Sequence, residues 1–285
     1  MKIKYTFFNI SVILILIFLT ILMAYLLNKY VIVENFETAP TEARLIAEEP
    51  LGIITIPNNI YTKVNDSRGY YKFLKSGTFT INKDGYYDIL LVGGGGSNDG
   101  NFYGSGGGGG GTSYYTDFLF PAGTYNITVG KSGEASSISR TSISSDFKEI
   151  KKATGGKSNG TPGTGNYSNL PSPFKYGTGG SGSNKAIGID GTPGFQFEIT
   201  GVPVFYGGGG GGGGFTGGGN GGEGGGGEGG RGGNISGKAG VDGFGGGGGG
   251  AGSISTTFNK GGSGVVIIAL NMSRACCYNV NASEK

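Results

Sequence analysis

The chain has 285 residues, with 66 glycines, no histidine, no tryptophan and two cysteines, which is enough length for one or two domains of unusual composition. Its formal charge is +3; without Lys2, Lys4 and Lys29 the 22 basic residues become 19, which the 19 acidic residues cancel. That balance leaves no basic stripe for phosphate contacts and argues against nucleic-acid binding. The lack of histidine removes the commonest general base and neutral metal ligand.

Phe7 to Leu27 is an uncharged apolar stretch, long enough to cross the hydrocarbon of a bilayer as a helix. A cleavable signal peptide has a shorter apolar stretch and a small-residue cleavage site, and no such site precedes the polar turn at Glu34. An uncleaved signal anchor within residues 1–29 is therefore expected. Lys2 and Lys4 on its near side against Lys29 beyond it place the short N-terminus in the cytoplasm and the rest outside, in a lumen or on a virion surface. Residues 30–56, rich in Glu and Pro, read as a juxtamembrane linker, with a short helix around Thr41–Glu49.

Residues 57–270 read as one mainly β domain. Ser76–Ile81 and Tyr86–Val92 are strand-like runs separated by Asn82-Lys83-Asp84-Gly85, a strong turn sequence. Tyr114–Phe120 and Tyr125–Val129 form a second pair across Pro121-Ala122-Gly123. In the latter, Tyr125, Ile127 and Val129 share one face, and Asn126 and Thr128 the other. Phe195–Thr200 is a further strand. Val265–Leu270 is apolar throughout, the pattern of a buried central strand.

Glycine fills the spaces between these strands. All but Gly52, Gly69, Gly77 and Gly85 lie between Gly93 and Gly264. No strict Gly-X-Y period runs through them, so a collagen triple helix is excluded. Three-residue-per-turn helices of the polyproline-II type leave every backbone N–H and C=O free to pair sideways, and without Cβ atoms they pack closely. Fixing glycine costs much entropy, so one tract alone stays flexible, whereas a lattice clamped between strands offsets the cost. Glu228, Arg231 and Asn234 recur at every third position, as do Asn220 and Glu223, which sets them on the outer row of edge tracts. The pure runs Gly207–Gly214 and Gly245–Gly250 suit enclosed ones.

Motifs for chemistry are few. G-x-G-x-x-G matches mean nothing in such a chain without a strand–helix context. Gly130-Lys131-Ser132 and Gly156-Lys157-Ser158 approach a P-loop but miss its first glycine. Asp84 with Asp88 is a conceivable carboxylate pair, though solvated turn residues are the plainer account; Asn98 and Asp99 could hold calcium with nearby carbonyls. No catalytic, cofactor or metal residues are assigned, and no cofactor is expected. Adjacent Cys276 and Cys277, in the tail 271–285, are too close to bond each other readily and either link chains or stay as thiols. Asn65, Asn126, Asn159, Asn166, Asn234, Asn271 and Asn281 begin N-x-S/T sequons, a weak signal in an Asn-rich chain.

The order YYDILLVGGGG, then GGGGGGTSYYTDFLFPAGTYNITVGKSG, ASSISR, ATGG, long glycine tracts and a closing GGSGVVIIAL resembles the glycine-rich domain of many large-DNA-virus and phage proteins. It is also similar to the glycine-rich extracellular region of the anaplastic lymphoma kinase receptor family, without the kinase or a cysteine framework. The resemblance covers Ser76–Leu270. It implies a β-sandwich of jelly-roll or tumour-necrosis-factor-like type with inserted polyglycine-II helices, which display recognition loops in phage relatives and carry ligand binding in the receptors. The expected function is a non-enzymatic membrane-anchored surface protein, a viral envelope or virion component for attachment or structure. Its partners would be the membrane through Phe7–Leu27, a cell-surface receptor or glycan, and a second copy of the chain. A self-associating matrix protein is the alternative, and a carboxylate enzyme on a β scaffold the remote one.

Overall fold

The computed structural model describes residues 53–54, 60–64, 68–141, 150–166, 177, 186–233, 235–252 and 258–270. The expected span Phe7–Leu27, the helix near Thr41–Glu49, and Cys276 and Cys277 lie outside them. Among the described residues no helix is long and apolar enough to cross a membrane, and the regular structure there is entirely β.

Among the described residues twelve strands form: β1 (Ile53–Ile54), β2 (Ile60–Val64), β3 (Arg68–Phe73), β4 (Gly77–Ile81), β5 (Gly85–Val92), β6 (Thr112–Phe120), β7 (Gly123–Thr128), β8 (Ser136–Arg140), β9 (Ile150–Ala153), β10 (Phe195–Phe197), β11 (Val204–Tyr206) and β12 (Val265–Leu270). One five-stranded sheet has the order β1-β4-β7-β8-β9, another β2-β3-β12-β5-β6, and β10-β11 is a separate hairpin. Every pairing between these strands is antiparallel.

The two large sheets share a core. Phe79, Ile81, Tyr125, Ile127 and Ile138 of the first meet Phe73, Tyr87, Ile89, Leu91, Phe120, Val266 and Ile268 of the second. Alternation in β7 is as its sequence suggests, with Tyr125, Ile127 and Val129 in this core and Asn126 on the other side. The second sheet is covered on its opposite face too. There Leu90, Val92, Val265, Ile267 and Ala269 pack with Phe197, Ile199 and Tyr206. This double burial explains why β12 is apolar at every position: it lies between β3 and β5, and all six residues are buried.

The expected strand pairs are rearranged. β4 pairs with β1 and β7, not with β5, and β6 pairs with β5, not with β7. Asn82-Lys83-Asp84-Gly85 and Pro121-Ala122-Gly123 are therefore corners that carry the chain from one sheet to the other. The apolar faces of β4 and β5 meet in the core that the two sheets share. A carboxylate oxygen of Asp84 accepts the Ala122 N–H at 2.7 Å, tying one corner to the other. Arg140 donates to the Ala122 carbonyl at 2.6 Å, and the Tyr125 hydroxyl to that of Pro121 at 2.6 Å.

Beyond the strand ends lies the glycine layer, whose bonding runs in threes. Gly210 and Gly213 donate to Gly107 and Gly104; Gly208, Gly211 and Gly214 to Gly224, Gly227 and Gly230; Gly209 and Gly212 to Thr192 and Ile189. The same tract accepts from Gly247 and Gly250 at Gly208 and Gly211, and from Gly222 and Gly219 at Gly209 and Gly212. All of these bonds are 2.8–3.1 Å long. Residues three apart thus address the same neighbour, as a three-residue turn requires. Neighbouring tracts approach so closely that a Cβ built on Gly210 would strike the Gly248 carbonyl, and one on Gly247 that of Gly107. Glycine is demanded here by space. Each net hydrogen bond is worth about 0.5–1.5 kcal/mol against about 1–2 kcal/mol for fixing a residue, so a tract gains order only with neighbours on several sides and strands at its ends.

Candidate functional site

The carboxylates serve the backbone. Asp84 holds a corner, as above. Asp88 sits at the β5–β6 bulge, where one of its oxygens accepts the N–H of Asp117 at 3.0 Å; Asp117 has φ 53°. The bulge frees that N–H, and the carboxylate satisfies it. Asp99 accepts from the N–H groups of Asn101 and Ser105 at 3.1 and 3.2 Å and closes its own loop. Asn98 is fully buried; its side-chain oxygen accepts the Asn259 N–H at 3.0 Å, while the Asn259 amide donates to the Gly249 carbonyl at 2.8 Å. Among the described residues no three His, Cys, Asp or Glu side chains converge as a metal cluster. Gly130-Lys131-Ser132 is followed by a turn, in which the Ser132 hydroxyl donates to the Gly95 carbonyl and accepts the Gly261 N–H. Lys72 lies 5.6 Å over the Phe244 ring, and burial lowers its pKa.

A surface of different character lies at the far ends of the tracts. β5 runs into residues 93–98 and β6 is entered from 105–111; these stretches pair through Gly93 to Gly111 and Gly96 to Gly108 and leave 99–104 as the loop between them. β11 runs into 207–214, which ends at Phe215. β12 is entered from 258–264, which begins at Phe258. Phe102, Phe215 and Phe258 are therefore carried away from the sheets, and they are 61%, 55% and 66% exposed. Ile187 and Ile235 join them at 64% and 45%.

Contacts make these one neighbourhood. The Tyr103 and Phe215 rings meet edge-on at 6.1 Å. Phe215 donates its N–H to Ala186 and accepts from Gly232, and Arg231 donates to Ile235. Gly100, at φ 70°, lies against the Phe258 ring. Tyr103 has φ 49°, a left-handed conformation uncommon for a bulky residue. Asp99 and the buried Asn98–Asn259 pair hold the loop that presents Phe102. Nothing in the amino-acid order marks this surface, since its large apolar residues are scattered singly among glycines and converge only when the tracts fold back.

The edge tracts carry the polar and charged side chains. Asn220, Glu223, Glu228 and Arg231 are exposed while Gly219, Gly222, Gly227 and Gly230 are buried, so at these positions the three-residue spacing does mark an outer row; Asn234 lies outside the described residues. Glu228 pairs with Lys238 at 2.7 Å, both side chains more than half exposed. Asp190, on the next tract, accepts the Asn220 N–H at 2.6 Å.

A two-sheet β scaffold bearing a hydrogen-bonded glycine layer with exposed apolar loops defines a class of protein, the glycine-rich β domain. The chain belongs to the glycine-rich domain family, which it matches over residues 74–271, more than half its length. No curated protein matches the chain.

Proposed function

We propose that the protein is a non-enzymatic, membrane-anchored surface protein that makes contact through the far end of its glycine layer. The observation that carries this is the cluster of Phe102, Phe215, Phe258, Ile187 and Ile235, large, apolar and exposed, on loops braced by the lattice. Exposed apolar patches on a well-bonded support mark interaction sites, and exposed aromatic residues become the anchors of interfaces. The uncharged stretch Phe7–Leu27 supplies the anchor, with the β domain outside. The glycine tracts are polyglycine-II helices, supported by their three-residue bonding period. The scaffold is a β-sandwich, for which the resemblance suggests a jelly-roll or tumour-necrosis-factor-like ancestry. The same resemblance favours a virion or envelope component that binds a cell-surface receptor or glycan.

Fluorescently labelled full-length protein, added to intact candidate host cells, tests this. Saturable, competable binding is expected, and a Phe102→Ser/Phe215→Ser variant with an unchanged melting temperature should lose about tenfold or more in affinity. Equal binding by the variant would remove the far-end loops from the contact. No binding by folded protein to any candidate cell would favour the second reading, a self-associating scaffold, for which exposed Ile189 on the 186–194 edge tract is the observation.

A further inference from the structure

The large apolar side chains at the far end of the glycine layer sit singly, where tracts begin or end. Phe102 lies on the 99–104 loop, Phe215 follows the tract 207–214, and Ile187 and Phe258 open the tracts that return toward the sheets. Ile235 faces Arg231, whose N–H its carbonyl accepts. No chain neighbour of these five residues carries a charge. A pocket for a small molecule or sugar is concave and lined by convergent polar groups. Here the apolar groups stand on chain reversals, and the polar groups beside them are already taken.

The backbone of these tips is paired within the protein. Phe215 donates to Ala186 at 2.9 Å and accepts from Gly232 at 3.0 Å, and the Arg231–Ile235 bond is 3.0 Å long. The N–H groups of Asn101 and Ser105 go to the Asp99 carboxylate, and that of Asn259 goes to the Asn98 side chain. Unpaired backbone groups are expensive in hydrocarbon, so a tip that enters a bilayer needs this internal bonding.

Charge at this end is one-sided. In the stretches 98–105, 186–188, 214–217, 231–236 and 258–260, Asp99 is the one acidic residue, and Arg231 and Lys260 are the two basic ones. Both oxygens of Asp99 accept backbone N–H groups, whereas Arg231 and Lys260 are exposed. Apolar tips with cations close behind them match a surface that is anionic outside and hydrocarbon within.

We infer that the far end binds a lipid bilayer: Phe102, Phe215, Phe258, Ile187 and Ile235 enter its outer hydrocarbon while Arg231 and Lys260 meet anionic headgroups. This rests on the reading that the far end is the contact surface, and it names the partner there as the lipid of the bound cell.

The chain has no tryptophan, so one introduced indole reports its own surroundings. Full-length protein held through Phe7–Leu27 in nanodiscs is mixed with separate vesicles of phosphatidylserine and phosphatidylcholine, the latter brominated on its acyl chains. In Phe102→Trp and Phe215→Trp the emission should shift to the blue and be quenched about twofold or more, as expected for groups buried below the headgroups. Val202→Trp should show neither change, because Val202 is 57% exposed in the turn between β10 and β11, at the strand ends away from the glycine layer. Phe102→Ser/Phe215→Ser should lose about tenfold or more in vesicle binding. Arg231→Gln/Lys260→Gln should lose about fivefold for each charge on these vesicles, and little on neutral ones. Equal binding by this last variant on anionic vesicles would overturn the role of the two cations. No quenching at either tip, in protein with native circular dichroism, would overturn the lipid inference. If Phe102→Ser/Phe215→Ser still lost cell binding in that case, the far end would remain the contact and only its partner would change. Equal quenching at Val202→Trp would also overturn the inference, since the lipid contact would then not belong to the tips.

Discussion

At the scale of single residues, the glycine layer sets a sharp test of whether glycine is there for space or for flexibility. A Cβ on Gly211 would strike the Gly219 carbonyl, and backbone in a bonded lattice cannot step aside as a side chain can. A Cβ on Gly217, by contrast, would find only the Ile187 side chain, at 3.5 Å, an ordinary contact. Gly211→Ala should therefore cost about 3 kcal/mol or more, the upper range for overpacking, while Gly217→Ala should be near neutral. Thermal melts of the two variants decide it. Equal melting temperatures would mean that the tracts yield, and the space argument would fall. The Asn259 amide allows a second residue-level test. It is buried and donates to the Gly249 carbonyl, so Asn259→Ala leaves that carbonyl unpaired and should cost about 1–3 kcal/mol. Glu228→Gln should change stability by less than about 1 kcal/mol, because its Lys238 partner is exposed. The outer row was legible in the sequence from the spacing of Glu228 and Arg231. The partner of Glu228 was not, because Lys238 comes from a segment that only the fold brings alongside.

At the scale of elements, what could be read depended on whether a signal was local. The continuous apolar run of β12 announced a strand buried on both faces, and β7 announced its two faces by alternation. Which strands pair could not be read. Asn82-Lys83-Asp84-Gly85 has the composition of a hairpin turn, yet the chain crosses between sheets there and the apolar faces of β4 and β5 meet in the shared core. β3 escaped notice because both of its faces are covered: Tyr71 and Phe73 look into the core, while Tyr70 packs with the outer cluster and Lys72 lies over Phe244. β8 escaped because Ile138 is its one apolar residue. The exposed far-end cluster was invisible for a related reason, since Phe102, Phe215 and Phe258 are far apart in sequence and the glycines between them specify no path. The tracts themselves make a prediction about dynamics. The amides of Gly208 to Gly214 all donate at 2.8–3.1 Å to other tracts, and these residues are buried. In hydrogen exchange they should be protected to the same order as the β12 amides, with opening tied to global unfolding. Exchange at the rate of an unstructured peptide would remove the lattice and, with it, the rigid support of the loops.

At the scale of the whole molecule, the buried tyrosines connect the two layers through one titration. Tyr125 lies in the core between the large sheets, and Tyr206 in the cluster that covers the outer face of the second sheet. Burial pushes the pKa of each up from 10.0 to about 12, and does the same to Tyr115. Tyr87 is driven up further, again by burial first, with Tyr71 and Tyr125 adding to it. Between these values the unfolded chain has lost its phenolic protons while the folded chain still holds them. The folded state then binds more protons, so stability must fall as pH rises. Below about pH 10 the contribution of these groups is fully present; it disappears progressively up to about pH 12, and four tyrosines act in the same direction. Far-ultraviolet circular dichroism and tyrosinate absorbance, followed together from pH 8 upward, should show the fold intact to about pH 10. The sheets should then be lost in one cooperative step, with absorbance from the buried tyrosines rising in that same step. Tyr206→Phe removes one of the four groups and should make the fall of stability with pH shallower. If instead all the tyrosines ionise near pH 10 with the sheets undisturbed, the aromatic residues are not sealed between the layers, and the two cores do not stand or fall together.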